Sequence, residues 1–366
     1  MAWSGAIAAS VAVGFGLVVA RAVAERERRT AHAGRPPRAS RRFGLGSEET
    51  PASGVRRIAL AQLDLAIELL EGESSVAPQE AVHETRKALK RSRALMRLLE
   101  GELGAKPARR ERAALRDAAA SLAGARDAEV MVSTLDALVR RHPRKLERRR
   151  GVVELRADLE RERREASART LGDALTREQV ARELADVRAR VERWRLPAHR
   201  SAAKLTGPGL ERIYRAGRDG RRRAGKRQAG PRTLHRWRKH VKDLRYAAEV
   251  LDVREPEEAN AKPADRRSGR RRSKLDRRAH ARSERAAKVA RRADRLGETL
   301  GEEHDLMLLA ERVRAHKPLE RARKRTRKRL LRAISHRRAE LRGRALREGE
   351  RLYAPGPRRF LRKMRA

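Results

Sequence analysis

One eleven-residue pattern occurs twice in this chain. The first copy is His83-Glu84-Thr85-Arg86-Lys87-Ala88-Leu89-Lys90-Arg91-Ser92-Arg93; the second is His235-Arg236-Trp237-Arg238-Lys239-His240-Val241-Lys242-Asp243-Leu244-Arg245. Both read H-x-x-R-K-x-x-K-x-x-R. At about 100° per residue the five shared positions fall within an arc of roughly 120° on an α-helix. The other side is apolar in both copies: Leu89, Leu95, Met96 and Leu99 in the first, Val241, Leu244, Ala248 and Leu251 in the second. The spacing therefore predicts two amphipathic helices, each burying one face and presenting four fixed cations and a histidine on the other.

The rest of the chain agrees with a helical fold. Ala, Leu, Arg and Glu, all good helix formers, dominate, and no run alternates long enough to suggest a sheet. The expectation is an all-α protein. Lys and Arg number 94 against 49 Asp and Glu, a formal net charge of +45. Such an excess repels itself unless a polyanion neutralises it. Nucleic acid, polyphosphate and an anionic membrane surface are the partners that charge admits. Only 2% of residues are aromatic, too few for the stacking platforms that read single-stranded bases. Cysteine is absent, which excludes disulfides, thiolate metal sites and cysteine nucleophiles.

Residues 1–24 open with an uncharged, Ala/Val/Gly-rich stretch followed by Arg21, Arg26, Arg28 and Arg29. Three readings compete for it: a membrane anchor with the remainder of the chain on the cytoplasmic side, a signal-like segment, and a weakly structured tail. Residues 25–46 read as a basic linker. A first helical repeat is expected over 47–200, beginning with a core helix that ends at Gly72, followed by the first motif helix over about 78–100. A second repeat is expected over 201–352. It opens at Gly207-Pro208-Gly209 and carries a charged, almost apolar-free insertion at about 254–282, read as disordered or loosely helical. Residues 353–366 read as a short basic tail.

The duplication extends past the motif. Leu122-Ala123-Gly124-Ala125-Arg126-Asp127 in the first half answers to Leu300-Gly301-Glu302-Glu303-His304-Asp305 in the second. The offset is 152 positions at the motif (83 to 235) and 178 here (127 to 305). The difference falls where the insertion lies, so two tandem helical units with one insertion explain both offsets.

The doubled motif, the downstream L-x-x-x-R/H-D element and the segment Gly209-Leu210-Glu211-Arg212-Ile213-Tyr214-Arg215-Ala216-Gly217-Arg218 together resemble the CHAD family, the conserved-histidine α-helical domain. The resemblance covers about residues 47–352. It implies two pseudo-symmetric helical bundles around a basic groove that binds inorganic polyphosphate. That role carries over to His83, Arg86, Lys87, Lys90 and Arg93, and to His235, Arg238, Lys239, Lys242 and Arg245. Arg126, Tyr214, Arg215 and Arg218 are secondary candidates, and His304 departs from the pattern by standing where Arg126 stands.

The residues themselves suit phosphate. Arg offers a planar fork of donors and Lys a point charge. The motif spreads them over about 15 Å of helix, so a linear phosphate chain can touch several at once. His83 and His235 are open to two roles: phosphate donors when protonated, or partly buried groups that orient a neighbour. Neither has the partners of a metal ligand. Asp127 and Asp305 read as holders of a basic residue or helix-start caps. His240 falls on the apolar side, and Trp237 reads as groove wall or core. There is no Walker loop, no E-x-E-x-K run and no carboxylate cluster for Mg²⁺, so no catalytic residue, metal or cofactor is expected. The reading is a polyphosphate-binding module at cytoplasmic polyphosphate granules. A nucleic-acid-associated basic protein gripping phosphate backbones without sequence specificity stands as the alternative. Oligomeric state is not indicated.

Overall fold

The computed structural model describes residues 43–365 apart from 48, 73–77, 123, 173, 254–273 and 322. The 1–24 segment and the linker up to residue 42 lie outside the described residues. Among the described residues there are fourteen α-helices and no strand, and no helix is long and apolar enough to cross a membrane.

Helix α1 (Pro51–Glu71) starts where the Thr50 side chain accepts from the Ser53 N–H and Pro51 occupies the first turn, a position that needs no backbone donor. It stops at Gly72, whose φ of 78° is the left-handed conformation glycine tolerates. Helix α2 (Pro78–Leu98) carries the first motif and packs on α1. The short α3 (Glu100–Leu103) ends at Gly104, also left-handed (φ 84°), and the chain turns there into α4 (Ala105–Ser121). Helices α5 (Gly124–Arg141), α6 (Pro143–Leu146), α7 (Arg150–Gly172) and α8 (Ala174–Glu192) complete the first half. The second half runs α9 (Ala202–Ala224), α10 (Pro231–Val250) with the second motif, α11 (Lys274–Ala315), α12 (Lys317–Arg321), α13 (Lys324–Tyr353) and α14 (Pro357–Arg365).

Two cores form, and each draws on both halves of the sequence. The larger joins Ile58, Leu63, Leu89, Leu95 and Leu184 to Ile213, Trp237, Val241, Leu244 and Leu296. The smaller joins Leu135 and Leu155 to Leu309, Val313, Leu330 and Ile334. Residues 43–366 form one unit accordingly. Charged ties support the packing: buried Glu111 of α4 holds Arg190 of α8 at 2.9 Å.

Four stretches depart from the sequence expectation. The end of the 25–46 linker is part of the fold: Leu45 is buried, and its N–H donates to the Val250 carbonyl (3.0 Å). Gly207-Pro208-Gly209 lies inside α9 rather than before it. Gly209 is required there, because a Cβ would come 1.7 Å from the Leu98 carbonyl oxygen of α2. Of the charged insertion, 254–273 lies outside the described residues, while 274–282 forms the first turns of the 42-residue α11. Ser283 pins those turns, its Oγ lying 2.8 Å from Asp252 Oδ1 and 2.7 Å from the Val253 carbonyl oxygen. The 353–366 tail is mostly helix: α14 buries Phe360 and Leu361 in the larger core.

Candidate functional site

The two motif helices lie against each other. Arg91 of α2 reaches Glu249 of α10 (3.4 Å), and Arg97 pairs with Asp243. The two pairings run in opposite order along the chain, so the helices are antiparallel. Each buries most of the apolar side the sequence assigns to it: Leu89, Leu95 and Met96 of α2 and Leu99 just after it, and Val241, Leu244 and Ala248 of α10, with Leu251 at its end half-buried.

In the first copy Arg86 donates to the Leu122 carbonyl (3.1 Å) and meets Asp127 at 3.4 Å. Lys87 pairs with Glu84 one turn back (3.0 Å). His83 and Lys90 are half-buried. Arg93 lies in the field of Arg97, Asp243, Arg116 and Arg112. Burial, with Arg97 beside it, holds its guanidinium below the usual range, while Asp243 partly compensates. Burial pushes the Asp243 carboxyl up against the pull of Arg97 and Arg93.

The second copy is more enclosed. His235 lies against His304, with ring centroids 4.4 Å apart and ring planes tilted by 37°. Burial and the neighbouring His304, Lys239 and Arg238 push the His235 pKa down to about 4, so this imidazole is neutral at pH 7. His304 is depressed for the same reasons, chiefly burial and then Arg238, while Asp127 works the other way. Asp127 thus acts on groups of both halves, on Arg86 and on His304. Arg238 faces Asp305 at 4.0 Å, the same pairing by sequence position as Arg86 with Asp127. Both aspartates hold a motif arginine, as the sequence suggests. Arg245 is gripped by Glu249 (2.7 Å) and by Asp294. Lys239 points to solvent. Lys242 is the most perturbed cation: burial, then Arg238, Lys90 and Arg245, lower its pKa to about 7. Lys90 of α2 and Lys242 of α10 therefore sit within each other's field.

Arg238, Lys242 and Arg245 open onto a cleft of about 420 Å³ between α5, α10 and α11. Arg141 and Arg337 also line it, and so do Asp294, Glu298, Glu302 and Asp305. Three of these carboxylates brace arginines: Asp294 holds Arg245, Asp305 faces Arg238, and Glu302 holds Arg337 at 2.7 Å. Sequence reasoning missed Arg141 and Arg337, since nothing separates them from other cations on charged helix faces.

The secondary candidates fare differently. Tyr214 is fully buried, stacked on Phe360 (3.8 Å) and hydrogen-bonded to the Pro355 carbonyl (2.8 Å). Burial raises its pKa to about 12. It is a core residue, with no surface to offer a ligand. Arg215 is exposed and paired with Glu211 (2.6 Å), and neither it nor Arg218 lines the cleft. Arg126 belongs to α5, but its side chain lies outside the described ones. Trp237 is core: its indole fills the space left by Gly220 and Gly349. His240 is half-buried and held below the usual range, first by burial and then by Arg97.

Fold and site define an all-α protein built around two basic helices packed side by side. The family model of the CHAD domain matches residues 58–264, and the chain belongs to the CHAD family. Among solved structures it is similar to the crystal structure of the CHAD domain from the plant Ricinus communis, with a TM-score of 0.57 at 19% identity, over 88% of this chain and 98% of that one. At that identity the likeness speaks to the fold. A search of curated proteins found no match.

Proposed function

We propose that this protein binds inorganic polyphosphate, without turning it over, through its two motif helices. The observation that carries the reading is the Lys90–Lys242 neighbourhood. Cations from two helices, 152 positions apart in the sequence (90 to 242), converge where burial, then Arg238, Lys90 and Arg245, hold Lys242 near pKa 7. Concentrating like charge is costly in the empty protein and is repaid when a polyanion arrives. Arg238 and Arg245, each set beside a carboxylate, supply oriented forks beside it. Family membership supports the same ligand, and the scarcity of aromatics supports one without bases. We place the protein at polyphosphate granules in the cytoplasm on the strength of that ligand.

The test uses the full chain, long-chain polyphosphate, and duplex DNA of equal phosphate content at near-physiological salt. A second protein carries Arg86, Lys90, Arg238 and Lys242 changed to Ala. Polyphosphate should bind in preference to DNA, and the fourfold variant should lose most of that affinity. Equal binding of both polymers, little altered by the four changes, would make bulk charge the cause and remove the site.

A further inference from the structure

We infer that the N-terminal half of α13 is a second landing for the same polyanion, one that only long chains reach. The inference rests on the polyphosphate reading above and adds chain-length selection to it. From residue 321 to 339 the sequence holds ten Lys or Arg and no Asp or Glu. A shallow groove of about 590 Å³ runs here, lined by Lys324, Arg327, Lys328, Leu331, Arg332 and Ser335. At about 100° per residue, Lys324, Lys328, Leu331, Arg332, Ser335 and Arg338 share one face roughly 120° wide.

The C-terminal end of that face meets the motif cluster. Arg338 pairs with Glu303 (2.7 Å), and its charge helps hold down the His304 pKa. Arg338 lies fourteen positions after Lys324 (324 to 338), about 21 Å along the helix. A short anion filling the motif cleft leaves this stretch untouched, whereas a long flexible chain leaving past His304 can continue along it.

The two basic regions are built differently. Three arginines of the cleft, Arg238, Arg245 and Arg337, are set beside carboxylates, but among the described residues Lys324, Lys328 and Arg332 make no ion pair. No internal carboxylate has to be displaced from these three side chains when a phosphate docks on them. The surroundings add charge: α6 packs on α13, and residues 140–150 hold seven Lys or Arg against one Glu.

Other occupants fit less well. The exposed large hydrophobics among the described residues are Val153 and Leu175, neither of them on α13, so this face has nothing to insert into a bilayer. No Phe, Trp or Tyr occurs from 254 to 352, so bases find no stacking platform.

The experiment compares tripolyphosphate with long-chain polyphosphate on the full chain and on a Lys324→Gln, Lys328→Gln, Arg332→Gln variant. Long-chain affinity should fall about tenfold or more at near-physiological salt, with a shallower salt dependence, and tripolyphosphate affinity should stay unchanged. Lys324→Arg, Lys328→Arg, Arg332→Lys should restore long-chain binding, which separates charge from folding. Equal weakening of both ligands, or undiminished long-chain binding, overturns the inference. So does a variant that loses duplex DNA or anionic vesicles but keeps polyphosphate. A motif variant that loses both lengths while the α13 variant loses only the long one supports it. If the unaltered chain binds neither length, the polyphosphate reading fails, and this extension with it.

Discussion

The two copies of the motif share their spacing but not their surroundings. In α2 the residue two places after the histidine is Thr85; in α10 it is Trp237. Both are fully buried, yet one fills a small gap and the other fills the space between Gly220 and Gly349. The first copy keeps Lys87 partly exposed beside Glu84, while the second sets its histidine against His304 and sinks Lys242 among other cations. Five matching positions therefore specify which side of each helix is basic; of these groups Arg238, Lys242 and Arg245, all of the second copy, line the cleft. The matching positions leave open how deeply each group is desolvated, and desolvation decides which of them titrates.

The largest effect should come from the way each helix is seated. Trp237→Ala should cost about 3–5 kcal/mol in chemical denaturation, the usual range for a large aromatic removed from a core. Thr85→Val should change stability by less than about 1 kcal/mol, since the buried Thr85 hydroxyl has no hydrogen-bond partner to lose. Comparable losses at both sites would mean that the two helices are seated alike. Helix α2 depends instead on the close approach of Gly209 to Leu98. Gly209→Ala should cost about 2–3 kcal/mol by forcing α9 and α2 apart, read in the same denaturation assay.

Proton linkage should separate the copies next. In the free protein Lys242 has a pKa of about 7, so it is largely neutral at pH 8 and above. A bound phosphate restores its proton. Binding then takes up a proton above pH 7, and polyphosphate affinity falls as pH rises, by at most about tenfold per pH unit. Calorimetry in buffers of different ionisation enthalpy would register the uptake. Lys242→Arg should abolish most of it, whereas Lys90→Arg should leave it in place. An uptake that survives Lys242→Arg would assign the linkage to another group.

The smallest contrast lies in the ion pairs. A double-mutant cycle on Lys87 and Glu84 should return about 0.3 kcal/mol, as for other exposed helical pairs. The same cycle on Arg245 and Glu249, less exposed and shared with Asp294 and Arg91, should return about 1 kcal/mol or more. Equal couplings would show that the second copy is no better shielded.

Much of this was legible in the sequence because it is local. Helical periodicity fixed α2 and α10 to within a few residues, Gly72 marked the end of α1, and the repeated Asp127 and Asp305 read as holders of a basic residue or helix-start caps, of which the structure shows the first. What the sequence hid depends on distant contacts. Gly209 looks like a loop residue until Leu98 is seen against it. Phe360 and Leu361 are too few to announce a helix, and they matter only because Tyr214 lies beneath. The first nine residues of α11 carry almost no apolar pattern and are helical where Ser283 ties the chain back to Asp252. Arg141 and Arg337 reach the cleft because α5 and α13 pass beside it, which no spacing records. Each half also lends helices to both cores, an arrangement that tandem offsets along the chain do not disclose.

The docking of Phe360 on Tyr214 makes the larger core depend on two helices far apart along the chain. Helix α9, which carries Tyr214, is made long before α14. Until α14 follows, one side of that tyrosine has no cover, and the larger core stays open at the place where α9 and α13 meet. A ribosome that stalls after α13, or a protease that trims α14, would leave a chain carrying both basic motifs and an unsealed apolar face. Such a chain would expose Tyr214 and the core around it to water, so loss of α14 should weaken the fold at a point outside both motifs.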